Sequence, residues 1–509
     1  MNTIGFNNFR KFTEFPAIQF GGITLLVGAN NSGKSTLVKA LLLMRDFLTQ
    51  KISKRGNTFD SLTPEFRLDS NYIHIGSFKR AFCNKCADEE TTMSFTTGIG
   101  QFSFEVKVTG DRTKDSILPD VSELTMVDHV RAVKLGYNYF SKLMSATFLP
   151  NKESKDNNLQ IDKLKQQQLE LKNRLVDEKD LNNISIIKDK VETIEAHLRA
   201  LGNTEEENNL SLSFDMKFTS DGAGGLLIPE LVRQFAKYAE QGTTGDELSE
   251  RFKKEESDKN LLKGKSSLIN AMAADLEHLL SFEQLEYIYA HSASQQVLYN
   301  MKDSNDFLSK TIHEYYLSRI SPGDAEHSFI LKWMDVFDIG HNFQIDSVAG
   351  EAYQVTITDT DNDSVQLADK GMGAIQMMIL LLRLATLIRR YQKASAPVTV
   401  LLEEPEQNLH PAFQSLLANL FEEVCLSYNL RLIVETHSEY LVRRSQTIVA
   451  KNYVNDDLAN NPFTVFYLDG IIGTYQMKYK PNGKFEREFG TGFFDVADNE
   501  ALELFDLED

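Results

Sequence analysis

The residues Gly28-Ala29-Asn30-Asn31-Ser32-Gly33-Lys34-Ser35-Thr36 have the types and spacing of a loop that wraps a pyrophosphate. In the G-x-x-x-x-G-K-[ST] pattern the turn exposes several backbone N–H groups to phosphate oxygens. Lys34 reaches the β- and γ-phosphates, and the Ser35 hydroxyl is suited to ligate Mg²⁺. Gly28, Asn30, Asn31, Ser32, Gly33, Lys34, Ser35 and Thr36 are therefore candidate nucleotide-binding residues, with Ser35 a candidate metal ligand. The apolar run at 23–27 predicts a strand before the loop, and residues 37–47 predict a helix after it. The amino end of that helix adds its dipole and unpaired amides to the same anion site.

A bound nucleoside triphosphate also needs a carboxylate to organise the cation and another group to orient or deprotonate water. Val398-Thr399-Val400-Leu401-Leu402 reads as a buried parallel strand that runs straight into Glu403-Glu404-Pro405-Glu406. Glu403 is the candidate metal ligand and Glu404 the candidate catalytic carboxylate. A third strand, Arg431-Leu432-Ile433-Val434, ends in Glu435-Thr436-His437-Ser438, where His437 is placed to donate a hydrogen bond to the γ-phosphate and sense its loss. All three strands deliver polar residues at their carboxyl ends, where open α/β sheets bind ligands.

The elements that must position these groups occupy a chain of 509 residues, too long for one compact core. The fold class expected is α/β, a P-loop ATPase head with a mixed or parallel sheet, a helical insertion and a short antiparallel coiled-coil hairpin. The expected divisions are an amino-terminal lobe at 1–150, the hairpin at 151–205, a further strand with a mostly helical insertion at 206–340, and a carboxyl-terminal lobe with an acidic tail at 341–509. Alternating apolar residues at 102–108 and at 210–218 predict strands, as do 3–9 and 353–357; Asp361-Asn362-Asp363 predicts a turn, and Gly371 opens a long helix through Arg390.

Between 157 and 201 the apolar residues form two heptad runs, Ile161, Leu164, Leu171, Leu175 and then Ile184, Ile187, Val191, Ile194, Leu198, Leu201. The step from Leu175 to Ile184 breaks register. The break favours two arms joined by a polar turn, each about 25–30 Å long at the α-helical rise. Two amphipathic helices lying flat on the body satisfy the same spacing. A polar stretch at 242–257 reads as mobile.

A net charge of −19 argues against broad affinity for nucleic acid, whose binding would need a local basic channel inside an acidic total. The opening residues lack a basic-then-apolar signal pattern, and the apolar run at 377–388 is interrupted by Arg383 and shorter than a membrane span, so a cytoplasmic protein without a membrane partner is expected. Three cysteines fit a reducing compartment. Cys83 and Cys86 form a single C-x-x-C; a zinc site there would need two more ligands, from His74 or a partner chain, and an ordinary loop needs none.

Taken in order, Phe9-Arg10, the phosphate loop, the segment 367–376, Glu404-Pro405-Glu406-Gln407-Asn408-Leu409-His410-Pro411 and Thr436-His437-Ser438 resemble ABC-type ATPases of the SMC, RecF and OLD kind. The E-P-E-x-x-L-H-P phrase is most similar to soluble bacterial ATPases related to OLD. The resemblance covers about half the chain, and includes Gly76-Ser77-Phe78 and Gly492-Phe493-Phe494-Asp495. It implies that residues 28–36 are the Walker A loop, Glu403 and Glu404 the Walker B pair, Asn408-Leu409-His410 the D-loop, His437 the switch histidine and Ala368-Asp369-Lys370-Gly371 the signature segment. Lys370 and Gly371 would then contact the nucleotide held by a second copy, so that ATP and Mg²⁺ sit between two chains of a homodimer or higher homo-oligomer. Glu403 replaces the usual aspartate, Asp369 stands where a serine is usual, and no glutamine is evident near Gly76-Ser77; slow or regulated hydrolysis is the corresponding expectation.

Chains resembling OLD-related ATPases often work with an effector such as a nuclease in anti-phage systems. No D-x-D motif follows Ser438, so a toprim nuclease domain is not expected in this sequence. The other reading is a RecF- or SMC-like clamp in DNA repair or maintenance, which the acidic balance and the absence of a basic stripe weaken. A transporter ATPase subunit fits less well still, because of the long insertions between motifs.

Overall fold

The computed structural model describes residues 1–51, 64–70, 72–87, 89–149, 191, 210–215, 226–241, 256–280, 285–289, 296–301, 306–359, 362–392, 397–453, 460–469, 473–490, 493–496, 499–500 and 502–503. From the amino end, β1 (Thr3–Phe9) and β2 (Phe12–Gln19) precede β3 (Ile23–Val27) and α1 (Lys34–Leu48). The chain divides into two compact units, one made of Met1–Asn2, Ile18–Leu42 and Glu283–Asp509, the other of Thr3–Ala17 and Leu43–Phe282.

The second of these units is built on one antiparallel sheet. After the short α2 (Phe78–Ala81) come β4 (Thr92–Ile99), β5 (Phe102–Thr109), β6 (Asp120–Asp128), β7 (Val133–Asn138), β8 (Leu143–Phe148) and β9 (Leu210–Asp215). The order is β2-β1-β4-β5-β6-β7-β8-β9. Along β5 every second side chain is buried, the period expected of a sheet with one face on a core. Phe6, Phe15 and Phe95 fill that core: Phe6 stacks on Phe15 with centroids 4.6 Å apart, and Phe9 meets Phe95 edge-on at 5.0 Å. Helices α3 (Leu227–Gln241) and α4 (Glu256–Leu280) belong to the same unit. Arg131, buried in the β6–β7 turn, pairs with Asp128 and with Asp275 of α4, each at 2.5 Å. The strand expected from the alternation at 210–218 is β9, which pairs with β8 with Met144 opposite Phe214. The two-armed hairpin read at 157–201 lies outside the described residues apart from Val191, as does most of the polar stretch at 242–257. Cys83 is buried and the Cys86 thiol donates to Asn8 Oδ1 at 3.1 Å.

The other unit carries β3 at the centre of a six-stranded sheet. Its remaining strands are β10 (Leu285–Ile288), then β15 (Val398–Glu403), β16 (Leu430–Glu435), β17 (Phe463–Asp469) and β18 (Gly473–Met477). Between β10 and β15 in the chain lie β11 (Tyr299–Asn300), β12 (Asn342–Val348), β13 (Ala352–Thr358) and β14 (Ser364–Gln366), a small antiparallel sheet. The six-stranded order is β10-β15-β16-β3-β17-β18, parallel from β10 to β17 and antiparallel only at β18. β3 is buried at every residue and β15 at every residue but its last, as a parallel sheet covered on both faces requires. β10 comes from a stretch whose sequence reads as mostly helical; four residues are too few for periodicity to separate strand from helix.

Helices α5 (Phe307–Leu317), α6 (Ala325–Val336), α7 (Met372–Tyr391), α8 (Pro411–Tyr428) and α9 (Glu439–Asn452) complete this unit. α7 is long and apolar enough to cross a membrane by length and composition, but 78% of its apolar window is buried within the protein. It is a core helix, and its Arg383, which interrupts the apolar run, meets Glu286 of β10 at 3.1 Å and also Glu314 of α5.

Candidate nucleotide site

The phosphate loop leaves β3 through Gly28, whose φ is +155°. A Cβ at Gly28 would lie 2.5 Å from the Leu468 carbonyl oxygen of β17, so no other residue fits without moving the neighbouring strand. Asn31 and Gly33 follow with φ of +61° and +117°. Positive-φ residues at alternate positions turn backbone N–H groups toward one concavity, the geometry that binds anions. Thr36 and Leu37 donate to Gly33 O at 3.0 and 3.1 Å and open α1. Lys34, 4% exposed, donates from Nζ to Gly28 O at 2.8 Å and Ala29 O at 3.1 Å, so its ammonium lies against the loop it is meant to serve. Ser32 is buried with its Oγ unpartnered, whereas Asn30, Asn31 and Ser35 are exposed.

Because β16 lies between β3 and β15, the carboxyl ends of the three strands stand side by side. Glu403 pairs in register with Glu435, and Glu435 with Leu26. Glu404 has φ of +42°, a conformation uncommon and strained for a residue with a side chain, and its N–H donates to Glu435 O at 2.8 Å. Its Oε2 accepts from Gln407 at 2.5 Å, and its Oε1 lies 3.8 Å from His437 Nε2. The His437 backbone N–H donates to Glu406 Oε1 at 2.6 Å. Burial lowers the His437 pKa below its usual 6.5, and the Lys34 charge adds to that while Glu404 opposes it. Burial raises Glu406, and the His437 N–H pulls it partly back.

The structure therefore brings residues 28–36, Glu403, Glu404 and His437 to one edge of one sheet. Lys370 and Gly371 sit elsewhere in the unit, at the amino end of α7, with Gly371 exposed. The first turn of α7 packs on the loop after β15: a Cβ on Gly373 would come 2.7 Å from Asn408 O. His410 caps α8, accepting from the Ala412 N–H at 3.3 Å.

Two acids without an assigned role in the sequence reading belong to this edge. Glu406 holds His437 by its backbone. Glu435, 4% exposed, accepts from Ser35 Oγ at 3.2 Å through Oε1, while Oε2 is buried without a hydrogen-bond partner. Burial and then the Glu403 charge push the Glu435 carboxyl up to about 7, against the pull of Lys34 and Ser35. The available signal was its place as the last residue of an apolar strand, the same place that singled out Glu403. Among the described residues no group of three or more His, Cys, Asp or Glu side chains forms a self-sufficient cation cage. Mg²⁺ does not need one: it takes one or two carboxylates together with substrate phosphates and water. The Ser35 hydroxyl and Glu403 fit that donor set, with Glu435 behind the hydroxyl it accepts from.

A family model described as an AAA ATPase domain, AAA_15, matches residues 1–442. No curated protein matches the chain. Among solved structures, the Smc head domain with a coiled coil and joint from Pyrococcus yayanosii is 11% identical, with 95% of this chain and 97% of that chain covered and a TM-score of 0.32. The SMC head domain from Thermotoga maritima is 9% identical, with 94% and 98% covered and a TM-score of 0.32.

Proposed function

The chain belongs to the AAA_15 family of AAA ATPase domains, and from that premise we propose that it binds and hydrolyses ATP with Mg²⁺ as a switch whose state is read by a partner protein. The observation that carries this reading is the convergence of the Gly28-to-Thr36 loop, Glu403, Glu404 and His437 at the carboxyl ends of three neighbouring parallel strands.

In this reading the loop amides and Lys34 hold the β- and γ-phosphates, and Ser35 and Glu403 hold the cation. Bound Mg²⁺ supplies charge neutralisation on the phosphates. Glu404 orients or deprotonates the attacking water, its left-handed backbone setting the carboxylate apart from the strand that carries Glu403. His437, kept neutral near pH 7 by burial and by Lys34, donates to the γ-phosphate and loses that contact on hydrolysis. The exposed amino end of α7, with Lys370 and Gly371, is suited to meet the nucleotide of a second copy, which makes a homodimer part of the catalytic unit.

The motif resemblance supports a cytoplasmic ATPase that controls an effector such as a nuclease in anti-phage defence. The test is ATP binding by calorimetry, phosphate release, and sedimentation of the full chain. Wild type should bind ATP and release phosphate slowly, Glu404→Gln should dimerise with ATP because its turnover is blocked, and Lys34→Ala should lose ATP. Unchanged ATP affinity in Lys34→Ala would remove the assignment of the loop.

A further inference from the structure

We propose that Glu435 is a positioning residue of the cation site, acting through Ser35. The inference rests on the reading that ATP and Mg²⁺ bind at residues 28–36. Three observations support it. The Ser35 hydroxyl hydrogen is directed to Glu435 Oε1 at 3.2 Å, which leaves the lone pairs of an exposed oxygen for a cation. β16 stands between the strand of the phosphate loop and the strand of Glu403, and Glu435 is register-paired with Glu403. Finally, Glu435 is 4% exposed and its Oε2 has no hydrogen-bond partner, a costly arrangement for a carboxylate that serves only as structure.

A carboxylate that accepts the hydrogen bond of a ligating hydroxyl fixes the ligand's orientation and strengthens it as a donor, the general work of an outer-shell partner. The position also explains why two acids are kept at neighbouring strand ends despite their repulsion: a divalent cation near Ser35 lowers the energy of both. Without that role, a neutral residue of the same shape at 435 would be the more stable choice.

The experiment uses Mn²⁺ as the probe, titrated by electron paramagnetic resonance into the full chain with ATP, alongside ATP affinity in EDTA and thermal melting. Glu435→Gln should leave ATP affinity in EDTA unchanged or slightly tighter, weaken Mn²⁺ about tenfold or more, and raise the melting temperature. Ser35→Ala should weaken Mn²⁺ as well, and the double variant should lose little beyond the larger single loss, because the two residues act as one unit. Glu435→Asp keeps the charge but shortens the arm, and should also weaken Mn²⁺; it serves if the Gln variant does not fold. Unchanged Mn²⁺ affinity, additive losses, or loss of ATP affinity in EDTA would each overturn the proposal. Lys34→Ala separates the two levels: if it binds ATP like wild type, the nucleotide reading fails first and the role of Glu435 falls with it.

Discussion

The backbone N–H of His437 donates to Glu406 Oε1 at 2.6 Å, so the strand end that carries the histidine is fastened to the acidic turn that begins with Glu404. The acceptor is almost fully buried, at 7% exposure. Glu404, Glu406 and His437 are therefore tied through one turn, and a change at Glu406 is expected to reach Glu404 and His437 without touching nucleotide.

Glu406→Ala leaves the part-buried His437 N–H without its protein acceptor, a cost of about 1 kcal/mol. A lower melting temperature and reduced phosphate release are expected, with ATP affinity nearly kept. Glu406→Gln retains a carbonyl acceptor and removes a desolvated charge, since burial already raises this carboxyl. It should match or exceed wild-type stability at pH 7, and a melt that falls as far as that of the Ala variant would contradict the relationship.

The adjacent acids should separate by phenotype. Glu404→Gln preserves shape and loses the proposed base, so phosphate release should drop by about a hundredfold or more while ATP stays bound. Glu403→Gln should instead weaken Mg²⁺ dependence. Swapped phenotypes in single-turnover and Mg²⁺-titration assays would shift the pair by one residue.

His437 gives a pH dependence of known sign. Its folded pKa lies below the ordinary 6.5, so above 6.5 the ring is neutral in folded and unfolded chains alike and contributes no slope. As pH falls below 6.5 the unfolded chain takes the proton first, and stability is lost down through the folded pKa. Histidine-resolved NMR titration should show that low value. Lys34→Ala should move it up and Glu404→Gln should move it down, because Lys34 lowers it and Glu404 raises it.

Gly373 tests the contact between the start of α7 and the loop after β15. A methyl group there meets Asn408 O at 2.7 Å, so Gly373→Ala should cost about 1–3 kcal/mol by overpacking. Gly371→Ala has open space, with nothing within 4 Å of the added carbon, and should leave the melting temperature near wild type. Equal melts for the two variants would show that the loop yields freely.

The candidate site residues were proposed from the sequence because the signals that single them out are local. A glycine at the exit of an apolar strand, a lysine and a hydroxyl six and seven residues later, and acids at the end of a second apolar run are each set by spacing along one segment. β3, β15, β16 and α7 all stand where that spacing put them. Strand order is different in kind, since it depends on pairing between segments hundreds of residues apart. Only the tertiary structure inserted β16 between β3 and β15, and with it carried Glu435 to the Ser35 hydroxyl and His437 to Glu404. The same holds for β10, too short to declare itself, which closes the sheet by pairing with β15 in parallel. The sequence determined which groups could act; long-range register decided which of them meet, because backbone hydrogen bonds across a sheet are specified by the whole packed core and not by any one strand.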